Sequence, residues 1–377
     1  MTKNEATGTA ARTVLVVQPK GPAAFGMTPE QRLLKQAANR KLAIAGTADE
    51  ADVIIRGDHV YGAGLIDALV GAVPGTVLVD MAGRALAART DSDSRGWAAA
   101  LLDRETPGGD LPEAAIATDP VALAGQHNIR LRKKLKPLLL PATDRRTVEK
   151  ALFDDSYKGV TDLVTKYAWP PLALPATRWC ALRGITPNQV TTLSAVFVGI
   201  TFWLFWEGHF GLGIAAAWVM CLLDTIDGKL ARVTLTSSPF GNIFDHGIDL
   251  IHPPFWWWAW AVGLTTVGMP LNDGGWTVGI IVAGYILQRG EEALFLHLFG
   301  MQIHIWRRFD SKFREITARR NPNLLILMAA TAVGAPREGL IAVAVWTVLS
   351  LLIHLVRIFQ AIAVRRAGPL KSWLAEA

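Results

Sequence analysis

Residues 224–249 read DTIDGKLARVTLTSSPFGNIFDHGID and lie between two strongly apolar stretches. Asp224, Asp227, Asp245 and Asp249 therefore stand at the edge of a hydrophobic region, where ionised groups are costly and by default functional. Asp224 and Asp227 are three residues apart, and Asp245 and Asp249 four apart, so each pair shares a helix face. Two helices joined by a tight turn can aim both pairs at one point. Left bare, these carboxylates would repel one another and carry a steep desolvation cost. Hard divalent cations relieve both problems, and an all-oxygen ligand set selects Mg²⁺, Mn²⁺ or Ca²⁺. Gly228, Ala231 and Gly241 leave room for a ligand to approach the backbone. Arg232 adds a fixed positive charge for phosphate. Metal, glycine and arginine together read as a pyrophosphate site.

The surroundings fit a membrane protein with a soluble N-terminal part. The chain has 377 residues, 51% of them apolar, and a formal charge of +6. Up to about Leu182 charges are mixed through short apolar runs; from Gln189 onward long hydrophobic segments dominate. A spanning helix needs about 20 mostly apolar residues. Six candidates lie near 190–206, 210–223, 243–267, 277–299, 324–333 and 340–363, the second and fifth extending into polar flanks. Lys and Arg concentrate in 224–249, in IWRRFDSKFREITARRNPN and in RRAGPLKSW, whereas the alternate connections carry only Arg337. The positive-inside rule then places both termini and the aspartates on the cytoplasmic side of a multi-pass inner-membrane protein. No secretory signal is visible at the N-terminus. Cys180 and Cys221 lack metal-ligand spacing and form no disulfide framework.

Residues 13–19, 51–58 and 75–83 read as buried strands, and 28–42 and 64–73 as helices, the first with Thr28 as N-cap. The pattern predicts an α/β domain with a mostly parallel sheet over 1–140. A linker and interfacial juxtamembrane segment occupies 141–187, and the six-helix membrane domain 188–377. The basic run 130–137 is suited either to anionic headgroups or to solvent. WWWAW at 256–260 favours packing or a lipid-facing role over a ligand cage.

The quoted stretch fits D-x2-D-G-x2-A-R-x8-G-x3-D-x3-D without a gap. It resembles the signature of the CDP-alcohol phosphotransferases, integral-membrane enzymes of phospholipid synthesis. GITPNQVT (184–191) resembles the segment that opens their first membrane helix. The resemblance implies transfer of a substituted phosphate from a CDP-linked donor, commonly CDP-diacylglycerol, to an alcohol hydroxyl with release of CMP. It implies that Asp224, Asp227 and Asp245 hold two divalent cations, Mg²⁺ or Mn²⁺, with Asp249 close to the second. Asp249 matches the general base. Asn188, Thr191, Gly228, Arg232, Ser238 and Gly241 match positions around the nucleotide and its pyrophosphate.

The acceptor is expected to be a small polar alcohol, with inositol phosphate or glycerol phosphate favoured over a neutral one such as serine. Arg289 and Arg357 inside spans, and Arg319 and Arg320 beside them, are candidates for an acceptor phosphate; for Arg289 the alternative is an ion pair to Glu291 or Glu292. A soluble donor such as CDP-inositol stays open, as does a homodimer; nucleic acid is not an expected partner. The N-terminal domain faintly resembles a nucleotidyltransferase, but VVQPKGPAAFGMTPEQR lacks the glycine-rich loop, which favours a degenerate domain. Two readings from other classes compete. A divalent-cation transporter needs acidic residues at several depths. A non-enzymatic membrane anchor leaves the intact signature unexplained.

Overall fold

The computed structural model describes residues 11–104, 111–124, 137–157 and 159–376. The basic run 130–137, suited either to headgroups or to solvent, lies outside the described residues except for Pro137. The chain divides into two units, one built mainly from 1–157 and one mainly from 158 to the C-terminus.

The first unit holds β1 (Thr13–Val17), β2 (Ala43–Ile44), β3 (Val53–Arg56), β4 (His59–Tyr61), β5 (Thr76–Val79), β6 (Ala85–Arg89), β7 (Ile116–Thr118) and β8 (Leu139–Pro141). Its helices are α1 (Pro29–Asn39), α2 (Ala63–Val70), α3 (Arg95–Asp103), α4 (Pro120–Ala124) and α5 (Arg145–Asp155). The main sheet runs β2-β1-β3-β6-β5-β7, and β4 pairs with β8 apart from it. Strand residues alternate between two apolar layers, as period-2 geometry requires. Val53, Ile55, Leu78 and Ala87 pack with Leu33, Leu65 and Leu69, whereas Ile54, Val77 and Ala88 pack with Ala98, Leu101 and Leu102. Both faces are covered, which is why β3 is apolar at three successive residues, Val53, Ile54 and Ile55, rather than alternating.

Three pairings of the main sheet are parallel, but β6 runs antiparallel to both of its neighbours. The expected mostly parallel sheet is therefore mixed. The reason is local. Asp80 Oδ1 accepts from the backbone N–H of Ala82 and of Arg84, and Gly83 takes φ +76°, so the chain turns back at once into a hairpin. Thr28 caps α1 as expected, in a reciprocal box with Gln31.

The second unit is helical: α6 (Pro170–Leu182), α7 (Pro187–Trp206), α8 (Phe210–Val233), α9 (Pro239–Thr266), α10 (Trp276–Phe299), α11 (Arg308–Ile316), α12 (Arg320–Ala332) and α13 (Pro336–Arg365). Thr186 and Gln189 cap each other's backbone at the start of α7, with Pro187 in its first turn. A tryptophan core ties α7, α8 and α9 together. Trp256, Trp257 and Trp260 are fully buried, and Phe205 and Phe210 meet Trp260 at 4.8 and 4.4 Å between ring centroids. The indole N–H groups of Trp256 and Trp260 donate to Val198 O and Pro336 O. The tryptophan run thus serves packing, with Trp258 the outward member at 46% exposure. Gly263 has no room for a side chain, because Phe205 O lies against its Cα, so α7 and α9 cross closely there.

Among the described residues, three helices, α7, α8 and α13, are long and apolar enough to cross a membrane. The chain is therefore a multi-pass helical membrane protein. α9 and α10 have the length but carry Asp245 and Asp249, and Arg289, Glu291 and Glu292. α12 has 13 residues, a rise of about 20 Å against an apolar core of about 30 Å. Its first turn holds Asn321 and Asn323, both buried.

Candidate active site

Asp224 and Asp227 sit on the last turns of α8, and Asp245 and Asp249 on the first turns of α9. The two helix ends converge. Asp224, Asp245 and Asp249 each offer a carboxylate oxygen, and these oxygens lie within 4.8 Å of one another. Asp227 is 3% exposed. Its Oδ2 accepts from Thr191 Oγ1 at 2.6 Å, and its Oδ1 is buried without a hydrogen-bond partner. A buried carboxylate oxygen left unpaired is expensive. Three carboxylates with converging oxygens, and a fourth on the same helix end with an unused buried oxygen, fit a hard divalent cation.

The residues matched to the nucleotide fall into local groups, one of which touches a carboxylate. Thr191 on α7 bonds Asp227 directly. Ser238 caps α9, its Oγ accepting from Gly241 N at 3.0 Å. A methyl added to Gly241 would come within 2.8 Å of Asn188 Oδ1 and 3.1 Å of Ser238 Oγ, so Asn188, Ser238 and Gly241 are neighbours and a side chain there would have to push the Asn188 amide aside. A methyl on Gly228 would meet Arg232 Nη2 at 3.1 Å, so that guanidinium lies over the bare backbone. The six positions thus fall into three local groups: Thr191 against Asp227, Asn188 with Ser238 and Gly241, and Gly228 with Arg232.

The four arginines considered for an acceptor phosphate have different surroundings. Arg320, the first residue of α12, donates from Nη1 to Asp249 Oδ1 at 2.5 Å and from Nη2 to Asp224 Oδ2 at 2.7 Å. Arg319 pairs with Glu292, which also accepts from His304 Nε2 at 2.9 Å. Burial pushes the His304 imidazole down to about 3, so it donates to Glu292 as a neutral ring. Arg357 makes a two-toothed pair with Asp310 at 2.6 and 2.9 Å and lies over the Trp306 ring. Arg289 is exposed and stacks on Tyr285 at 5.3 Å, not on Glu291 or Glu292. The Tyr285 hydroxyl in turn donates to Leu250 O at 3.1 Å, one residue beyond Asp249.

Sequence reasoning missed two features. One is the contact of Arg320 with two of the aspartates, 71 and 96 residues away. The other is the Glu292–His304 pair that holds Arg319. Only the run of arginines before the fifth apolar segment hinted at either.

Residues 184–310 match the family model of the CDP-alcohol phosphatidyltransferases, a span that includes all four aspartates. It is 29% identical over 167 residues to the "Bifunctional IPC transferase and DIPP synthase" of Rubrobacter xylanophilus, covering 42% of this chain and 34% of that one. It is 48% identical over 92 residues to cholinephosphotransferase 1 of Gallus gallus, covering 23% of this chain and 25% of that one. The chain thus spans about a third or less of the length of these curated relatives. Among solved structures, that of Mycobacterium tuberculosis phosphatidylinositol phosphate synthase with manganese and citrate aligns at a TM-score of 0.41 and 20% identity, covering 50% of this chain and 89% of that one.

Proposed function

We propose that this chain is a membrane CDP-alcohol phosphotransferase of phospholipid synthesis, transferring a substituted phosphate from a CDP-linked donor to the hydroxyl of a small polar alcohol. The observation that carries this reading is the convergence of Asp224, Asp245 and Asp249 beside the half-paired Asp227, within the segment that matches the family. Asp224, Asp227, Asp245 and Asp249 would hold two Mg²⁺ or Mn²⁺ ions, which supply charge neutralisation for a pyrophosphate. The chain's own residues do the rest. Gly228 and Gly241 let the donor approach the backbone, and Arg232 and Asn188 border that space. Thr191 fixes the orientation of Asp227. Asp249, the more exposed of the two carboxylates bound to Arg320, takes the proton from the acceptor hydroxyl. The oxygen then forms its bond to phosphorus as the bond to CMP breaks, a transfer governed by positioning and charge.

The donor we favour is CDP-diacylglycerol. Its acyl chains can stay among the exposed apolar side chains of the helices while the cytidine stays in water. For the acceptor we favour a phosphorylated polyol such as inositol phosphate or glycerol phosphate. Arg289, which is exposed, and Arg320, which lies against Asp224 and Asp249, are the contacts we retain for its phosphate. A six-span arrangement with both termini and the site on the cytoplasmic side completes the reading.

The test is mass-spectrometric detection of CMP released from CDP-diacylglycerol by the purified chain, run against a panel of acceptors. No CMP with any acceptor, and release only from a soluble CDP-alcohol, would replace the lipid donor. No release from any CDP-linked donor would sink the enzyme reading.

We read the N-terminal unit as a degenerate nucleotidyltransferase-like domain. The carboxylate at the end of its third strand supports this: Asp58 is bound by Arg56 and by His59 Nδ1 at 2.6 Å, leaving it no evident call for a metal. The full chain given CTP and a polyol phosphate should therefore release no pyrophosphate.

A further inference from the structure

We propose that Arg320 is a built-in counter-ion that competes with divalent cations for the aspartates, so that metal loading requires its release. This rests on the reading of Asp224, Asp245 and Asp249 as metal ligands. The guanidinium bridges the two helices that carry them, with Nη2 on Asp224 of α8 and Nη1 on Asp249 of α9. Both bonds are charge-assisted, and the side chain is only 15% exposed. A dication bound to the same carboxylates would sit beside this fixed positive charge, and like charges at contact distance in a poorly screened site repel strongly. Arginine cannot relieve the conflict by losing its proton. It has to move.

The local structure permits that movement. Arg320 opens α12, and the residue before it, Arg319, is tied to Glu292, which His304 also holds. The backbone at this point is anchored while the long side chain beyond it can change rotamer. The remaining nitrogen-side contact, Nη1 to the Met220 sulfur at 3.6 Å, is a weak one. In the absence of metal, Arg320 offsets part of the repulsion among the carboxylates. Once metal replaces it, the freed guanidinium faces a site built for phosphate. Metal binding and anion binding are then coupled, and the coupling is reciprocal.

The opposite arrangement makes the opposite forecast. If Arg320 orients the carboxylates for metal while the ion uses their other oxygens, removing it loosens metal binding. The experiment is a Mn²⁺ titration followed by the electron paramagnetic resonance signal of free Mn²⁺. It uses the full chain in detergent, purified with Mn²⁺ and then chelated, as wild type, Arg320→Gln, Arg320→Lys and Asp224→Asn. Arg320→Gln should bind Mn²⁺ tighter than wild type, on the order of ten- to a hundredfold, the worth of one or two charge-assisted bonds. Arg320→Lys, which keeps the charge but reaches one carboxylate at a time, should fall between them. Mn²⁺ should also raise the melting temperature of Arg320→Gln more than that of wild type. Equal or weaker Mn²⁺ affinity in Arg320→Gln overturns the proposal. Should that variant fail to fold, equal or weaker affinity in Arg320→Lys does the same. Saturable binding in wild type that is lost in Asp224→Asn supports the metal site itself. If wild type and Arg320→Gln both bind no better than Asp224→Asn, the underlying metal reading fails, and this proposal with it.

Discussion

In the N-terminal unit, Asp58 meets Arg56 through both carboxylate oxygens and His59 through one of them. In the helical unit, Asp224, Asp245 and Asp249 converge from two helix ends, and with Asp227 they have far less cover. Arg320 reaches Asp224 and Asp249, His246 Nδ1 stands 3.4 Å from Asp245, and Asp227 keeps a buried oxygen without a partner. The first cluster is closed: one acid, a fixed arginine, and a histidine within hydrogen-bond distance. The second leaves negative charge over. A protein tolerates that surplus only where something from outside completes it. The contrast separates a carboxylate that holds a domain together from carboxylates set to receive a ligand.

The sharpest way to break this contrast is to remove the outside cation. A chelator should abolish transfer, and added Mg²⁺ or Mn²⁺ should restore it, as read by CMP release. The same treatment should leave the melting of the N-terminal unit unchanged. Full turnover in metal-free buffer would show that the surplus charge serves something else.

Next in size is Asp249→Asn. A positioned base contributes roughly 10²- to 10⁴-fold. Turnover should fall by about that factor, while CDP affinity at fixed Mg²⁺ stays largely intact. Asp224→Asn should instead weaken metal and CDP binding together, because it strips charge from the part that neutralises the pyrophosphate. Equal losses of CDP affinity in both variants, or near-normal turnover in Asp249→Asn, would erase the division of labour.

The sequence carried the local half of this picture. Asp224 and Asp227, and Asp245 and Asp249, are spaced three and four apart, so their shared helix faces follow from helix geometry alone. Thr28 as the N-cap of α1 was equally readable, from its place just before the helical pattern. What was hidden is what depends on distant pairing. Arg320 meets its partners only after α12 packs near α8 and α9, and nothing in its neighbourhood in the chain announces that. The β6 strand ALAAR escaped because alanine favours helix over strand; its place is set by the hairpin at Asp80 and Gly83. The outward or inward facing of the tryptophan run was equally undecided until Phe205 and Phe210 were seen beside Trp260.

The closed cluster gives the third test. Arg56 is 4% exposed, so Asp58→Asn leaves a buried guanidinium with one formal counter-charge fewer. The N-terminal unit should lose about 2 kcal/mol, the cost of an uncompensated charge that still keeps carbonyl partners at Leu102 and Arg104. Burial alone would raise the Asp58 carboxyl, but the bonds from His59 and Arg56 outweigh it and hold the group below the usual carboxylate range. A depressed value means the stabilisation is present above the unfolded value of about 4 and fades as pH falls toward the folded one. Thermal melts of wild type between about pH 5 and pH 3 should therefore lose stability that Asp58→Asn has already lost. Parallel curves for the two would show that Asp58 is not the group responsible.

The smallest effect we forecast lies at the rim of the open cluster. Ser238 Oγ satisfies Gly241 N at the start of α9, and Asn188 Oδ1 lies within contact of the same glycine. Ser238→Ala removes an N-cap, a change worth about 1 kcal/mol of local helix stability. The first turn of α9 precedes Asp245 by one turn, so fraying there shifts a ligand only slightly. CDP affinity should drop a fewfold, on the order of the tenfold that 1.4 kcal/mol represents or less. Mn²⁺ affinity measured without nucleotide should change by less than CDP affinity does. Ser238→Thr keeps an oxygen that can cap and should restore most of the loss. If Ser238→Ala instead lowers Mn²⁺ affinity as much as Asp224→Asn does, the cap is part of the ligand cage rather than its border. The line between nucleotide and metal residues would then have to be redrawn around α9.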